Sequence, residues 1–175
     1  MAFKKSIFWL ATIFICNTIF AQDVFDAART GDIAQLRVLQ RIKSDTLESV
    51  NENGFCPLLL ATYRNQHKTV KFLIKQKVNV NQNSQEGTPI IAAAFKNNLG
   101  IAKMLLNNGA EVNAQGHDGA TALIFATQNS NKKMILFLLK NHANPKLSDT
   151  SGKTAIQYSK LSKDPEIQII FDTIQ

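Results

Sequence analysis

Gly-Thr-Pro-Ile-Ile-Ala-Ala-Ala at 87–94 and Asn-Gly-Ala-Glu-Val-Asn-Ala at 108–114 are the two stretches whose reading decides the fold. Thr88 before Pro89 marks a helix start: a threonine side chain caps free N–H groups, and proline at the first helical position has no N–H to lose. Ile90, Ala93 and Ala94 follow at helical spacing, with small residues where two helices must approach. Asn97-Asn98 breaks the pattern, and Ile101, Ala102, Leu105 and Leu106 mark a second helix. Gly109 supplies a left-handed stop. Ala110 to Asn113 then leads into an extended turn ending at Gly116-His117-Asp118-Gly119. Neither helix is long enough to be stable alone.

The same pattern recurs along the chain. Cys56-Pro57-Leu58, Thr88-Pro89-Ile90, Thr121-Ala122-Leu123 and Thr154-Ala155-Ile156 start 32, 33 and 33 residues apart. Two residues before each start lie Gly54, Glu86, Gly119 and Gly152; five after lie Ala61, Ala93, Ala126 and Ser159. Further on come Phe72-Leu73-Ile74, Met104-Leu105-Leu106 and Phe137-Leu138-Leu139. A fixed period carried by several columns predicts like-built units that stack to bury one continuous core. Phe72, Met104 and Phe137 share one column and are assigned to that core rather than to a cofactor site.

These residues resemble the ankyrin repeat. Val78-Asn79-Val80-Asn81 is another copy of the closing stretch, and Asp23 to Leu39 resembles a first unit, with Ala27-Ala28, Gly31-Asp32, Leu36 and Leu39. The resemblance implies an all-α ankyrin-repeat solenoid of about five helix-turn-helix units with short extended turns, at about 22–50, 51–82, 83–115, 116–148 and 149–175. Some positions depart from the family pattern. The histidine that normally bonds between units is replaced by Leu59, Ile91, Ile124 and Gln157, so apolar packing is expected to supply much of that contact. Lys77 and His142 stand where Gly109 stands, and Glu86 replaces the turn glycine, with Gly87 one position later. Asp164-Pro165 interrupts the last unit, where Lys160, Lys163, Glu166 and Asp172 suit a capping repeat facing water.

Composition is consistent with this. The chain has 175 residues, 45% hydrophobic and 19% charged, with four prolines and eight glycines; that excludes collagen-like and disordered classes. Residues 1–21 read separately. Lys4 and Lys5, an apolar run from Ser6 to Cys16, and Ala21 before Gln22 form the pattern of a secretory signal peptide. Cleavage is expected after Ala21, with an uncleaved anchor as the alternative; the run is too short for an ordinary spanning helix. Removal would lower the net charge from +7 to +5 and leave Cys56 as the lone cysteine, so no internal disulfide could form. After cleavage, no stable membrane insertion is expected. The periplasm is the favoured location, with the extracellular space open.

No catalytic constellation is legible. Ser151-Gly152-Lys153-Thr154 resembles the tail of a phosphate-binding loop, but Leu147 stands where that loop needs glycine. His67, His117 and His142 fall at different repeat positions, so no metal site is expected, nor any cofactor. Cys56 is assigned to the core. The basic residues look scattered along the chain, which disfavours nucleic acid as a partner. An enzyme is not expected.

The resemblance implies a concave groove lined by the ends of the first helices and the turn tips, where such stacks bind. The matching positions are Arg29, Tyr63-Arg64, Phe95-Lys96 and Gln128-Asn129, with Phe55 on a turn tip and Glu52, Asn53, Gln85, His117, Asp118 and Lys153 as rim. Arginine and tyrosine dominate interface energetics, and sideways packing of Tyr63 and Phe95 is the competing expectation. The function expected is an exported protein–protein interaction module that binds an acidic or apolar-acidic protein surface. Alternatives are an immunity-type inhibitor or regulator of an envelope enzyme or toxin, and a structural self-associating repeat protein.

Overall fold

The short helices that the periodicity requires form in pairs. A computed structural model describes residues 23–173; the expected leader at 1–21 lies outside the described residues. Helix α1 covers residues 23–30. It is followed by α2 (Ile33–Ile42), a 3-10 turn (Thr46–Glu48), α3 (Pro57–Tyr63), α4 (His67–Lys75), α5 (Pro89–Phe95) and α6 (Leu99–Leu106). Helices α7 (Ala122–Gln128), α8 (Lys132–Lys140), α9 (Ala155–Leu161) and α10 (Pro165–Asp172) complete the order. Among the described residues, β-type pairing is confined to two isolated bridges, Gln115–Thr121 and Ser148–Thr154.

Odd-numbered helices form an inner layer and even-numbered helices an outer one. From α3 onward each inner helix packs on its own outer helix, and consecutive inner helices pack on one another: α3 on α5, α5 on α7, α7 on α9. Small residues permit the close approach. Ala61, Ala93 and Ala126, in one column, are fully buried, as are the flanking Ala92 and Ala94. Leu59, Ile91 and Ile124, which replace the family's histidine, are buried too. Each contributes about 1.5–3 kcal/mol of apolar burial, so packing does supply contact at that column. Gln157 instead stays exposed and completes a capping box with Thr154.

Helix starts follow the expected cap column with one correction. Thr121 and Thr154 accept from the backbone N–H of Ile124 and Gln157, both at 3.2 Å. Thr88 holds the cap position, but its hydroxyl accepts no cap bond and is buried without a partner. The helix therefore starts at Pro89 on proline geometry and packing, without the side-chain bond expected of Thr88. The turn before it is also shorter. Asn51, Gly116 and Asp149 donate to the carbonyl four residues on, at Phe55, Ala120 and Lys153, whereas Ser84 donates to Gly87, three on. Gly87 takes the turn's left-handed place at φ +89°. One missing residue thus accounts for the 32-residue step between Cys56 and Thr88.

Helices α4, α6 and α8 run into a left-handed residue, whereas α2 ends at an extended Lys43. At Gly109 (φ 88°) this costs little, but Lys77 (φ 62°) and His142 (φ 65°) adopt the same region with a side chain. That costs about 1–2 kcal/mol per residue, and both side chains are exposed. Glycine there relieves the strain, less about 0.4–1 kcal/mol for its freer unfolded chain. A Lys77→Gly/His142→Gly variant is expected to melt a few degrees higher, at roughly 2–4 °C per kcal/mol for a chain of this size. Thermal denaturation by circular dichroism checks this, and a lower midpoint would contradict it.

Candidate functional site

Every inner helix except the last reverses into its outer helix through a residue of positive φ: Gly31, Asn65, Asn97 and Ser130. The residues just before these reversals come to the concave side, beside the turn tips. Arg29, Phe55, Tyr63, Arg64 and Lys96 line one groove of about 380 Å³. Asn51, Asn53, Leu60 and Glu86 complete its wall. A second hollow of about 230 Å³ adjoins it and holds Phe95 and Phe125 beside Tyr63, with Gln85, His117 and Asp118 at its edge. Glu52, Lys153, Gln128 and Asn129 line neither hollow. Asn129 instead donates to the Phe95 carbonyl at 3.2 Å and ties the third unit to the fourth.

The aromatic side chains both pack sideways and face the groove. Tyr63 meets Phe95 edge to face at 6.3 Å between centroids, and Phe95 meets Phe125 at 5.7 Å. Phe95 nevertheless remains 48% exposed. Such edge-to-face pairs contribute about 0.5–1.5 kcal/mol beyond area burial, so the row is preorganised. Phe125 escaped the sequence reading because it lies one turn earlier in its helix than Tyr63 and Phe95 do in theirs.

The charge is less uniform than the sequence suggested. Arg29 is paired with Asp26 one turn before it. Glu86 lines both hollows, a carboxylate set among the cations. Partial burial, then the Glu86 carboxylate and Asp118, push the Tyr63 hydroxyl up to about 12. At neutral pH the Tyr63 hydroxyl therefore stays protonated and can donate a hydrogen bond. Among the described residues, Arg64 and Lys96 are the groove cations without an ion pair.

Polar ties hold the units in register, and sequence columns alone did not reveal them. Asn98 donates to Asn65 Oδ1 at 2.9 Å, and Asn131 to Asn97 Oδ1 at 3.2 Å. Gln66 reaches back to the Arg29 carbonyl at 3.0 Å. On the opposite edge, Asn81 donates to the Gly109 carbonyl and accepts from the Glu111 N–H. Asn113 does the same with the His142 carbonyl and the Asn144 N–H. Asn81 and Asn113, at the ends of the second and third closing stretches, are thus clamps on the next unit.

The residues with chemical potential are occupied structurally. At Ser151-Gly152-Lys153-Thr154 the backbone N–H groups of Ser151 and Lys153 donate to Asp149 Oδ1, so a carboxylate already fills the place of an anion. Burial opposes ionisation there, but bonds from the Ser151 and Tyr158 hydroxyls and these amides hold Asp149 at about 2, against an ordinary 3.8. His67 Nε2 lies 2.9 Å from Asn98 Nδ2 in the polar ladder. No cluster of three potential metal ligands occurs among the described residues.

The apparent scatter of basic residues needs correction. Lys68, Lys71 and Lys75 share the exposed face of α4, and Lys133 and Lys140 that of α8. With Arg37 and Arg41 on α2 and Lys103 on α6, they make one outer face. Helical spacing of three and four residues, multiplied by the repeat period, gathers what looks dispersed along the chain.

The family model described as ankyrin repeats, in three copies, matches residues 24–116, and a single ankyrin repeat model matches 118–150. The chain is also similar to a rat protein described as ankyrin repeat and SAM domain-containing protein 6, at 31% identity over 149 residues. That alignment covers 85% of this chain, and the chain spans 13% of the length of the rat protein.

Cys56 is buried and its Sγ accepts the Leu59 N–H at 3.4 Å. Burial pushes the thiol up from its ordinary value of 9.0, so thiolate, the reactive form, is scarce at neutral pH. With Cys16 replaced by Ser, labelling of the folded chain by a thiol reagent at pH 7–8 is expected to be at least about a hundredfold slower than in denaturant. Comparable rates would contradict a purely structural thiol.

Proposed function

The chain belongs to the ankyrin repeat family, and from that premise we propose that it acts as an exported module whose partner protein seats in the groove of the first three units. Stacks of this family are interaction scaffolds rather than catalysts. What supports this groove as the seat is one geometric fact: five side chains from three different units, Arg29, Phe55, Tyr63, Arg64 and Lys96, line a single hollow. Arg29 and Tyr63 stand on helices, Arg64 and Lys96 cap helix ends and Phe55 sits on a hydrogen-bonded turn. The backbone that carries them is therefore ordered before binding, and the ordering cost is small. Tyr63, Phe55 and the adjoining Phe95 offer apolar area, and Arg64 and Lys96 offer unpaired positive charge. A partner surface that presents carboxylates around an apolar centre is complementary. Glu86 adds discrimination, because a partner carboxylate placed beside it is repelled. Export rests on Lys4, Lys5 and the apolar run to Cys16. An immunity-type inhibitor or regulator of an envelope enzyme or toxin is one form of such a binder.

Crosslinking in intact cells followed by mass spectrometry identifies the partner. Binding of that partner is then compared for the natural chain, Tyr63→Ala/Phe95→Ala, and Arg64→Glu/Lys96→Glu. Both variants are expected to lose about tenfold or more in affinity, the usual weight of central aromatic and arginine contacts. Unchanged affinity in both, with folding intact by circular dichroism, would remove the groove as the binding surface.

A further inference from the structure

The face opposite the groove carries its own signature. Counted from the residue that caps each outer helix, the positions two, five and nine residues on form three exposed rows. In the first four units they read Ala34, Lys68, Gly100, Lys133; then Arg37, Lys71, Lys103, Leu136; then Arg41, Lys75, Asn107, Lys140. Eight of these twelve positions are cationic and none is acidic. None of the eight forms a salt bridge with a described carboxylate. From residue 22 onward the rest of the chain carries ten cations against thirteen carboxylates, so the positive charge is segregated onto this face. At 1.5 Å per residue and 8–10 Å between helices, the array measures about 10 by 30 Å. It stops at the fifth unit, where Glu166 enters the row and pairs with Lys132.

We propose that this outer face docks on an anionic phospholipid membrane surface. Charge complementarity gives the first reason: lysine and arginine rows facing one way are drawn to an anionic leaflet within a Debye length. Exposed aliphatic side chains among the cations give the second. Leu136 lies in the middle row at 54% exposure, and Val38 stands beside Arg37 at 48%. Aliphatic groups at the level of lysine heads suit the headgroup boundary. The aromatic rings of this face are covered by its own cations: Arg37 sits over Phe72 at 5.6 Å and Lys103 over Phe137 at 6.0 Å. Nucleic-acid bases would therefore find no open ring to stack on. Between α2 and α4 a shallow notch of about 200 Å³ brings Arg37, Lys68, Lys71 and Lys75 around Ile33 and Phe72, and a lipid phosphate is the group that fits there. The notch and the two groove hollows share no residue. Docking on the membrane would leave the groove facing away, open to its protein.

The test uses the full chain and vesicle co-sedimentation, with phosphatidylglycerol-containing vesicles set against phosphatidylcholine alone. Three variants are compared: Lys68→Glu/Lys71→Glu/Lys75→Glu; the neutral Lys68→Gln/Lys71→Gln/Lys75→Gln; and Lys146→Glu/Lys160→Glu/Lys163→Glu, which changes the net charge equally outside the rows. Folding of each is confirmed by circular dichroism. The natural chain is expected to prefer the anionic vesicles, and the α4 glutamate variant to lose about tenfold or more of that preference. The glutamine variant is expected to lose less, the control to stay within about twofold, and added salt to erase the difference. The proposal is overturned by an unaffected α4 variant, by an equal loss in the control, by indifferent vesicle binding of the natural chain, or by tighter α4-dependent binding to a DNA duplex.

Discussion

A seven-residue helix does not persist in water by itself, and α3, α5, α7 and α9 each have that length. Their apolar residues are buried only because a neighbouring unit lies against them. The alanine columns make that approach possible, and Leu59, Ile91 and Ile124 fill the space where a polar bridge is usual in such stacks. Stability is therefore shared between neighbours rather than stored within units. The asparagine ties on both edges add direction to an attraction that would otherwise tolerate sliding. Apolar surface decides that the units associate; Asn65, Asn81, Asn97 and Asn113 decide in which register.

Much of this was legible in the sequence, because two periods act together. The 3.6-residue period separates buried from exposed positions, and the 32- to 33-residue period repeats the result. Helix starts, the left-handed stop at Gly109 and the shift of the turn to Gly87 could all be read that way. What escaped depends on distance through space. Glu86 reads as a failed turn glycine, yet it enters the groove because its turn is one residue short. Phe125 belongs to another column and joins Tyr63 and Phe95 only through packing. Gln128 and Asn129 hold the expected column but line neither hollow; the fourth unit enters the second hollow through His117, Asp118 and Phe125 instead. Thr88 shows the reverse limit: its residue type promises a cap bond, and its orientation does not deliver one.

The same stacking that builds the core divides the surface. Ends of inner helices and turn tips converge on one side, where mixed charge and a short aromatic row make a shaped hollow. The outer helices turn a nearly uncompensated cationic face to the other side. A rigid scaffold keeps the two apart, so a ligand on one side need not disturb the other. That division follows from where lysine and arginine fall within each unit, and it would be invisible in net charge alone.

All of this assumes a linear array in which each unit answers only to its neighbours. Excising the third unit, residues 83–115, and following denaturant unfolding is the most direct check. The account predicts a shorter chain that still folds cooperatively, with unchanged helix content per residue and stability reduced by roughly one unit's share. A chain that fails to fold, or collapses without cooperative unfolding, would contradict it and point to closure across the whole molecule.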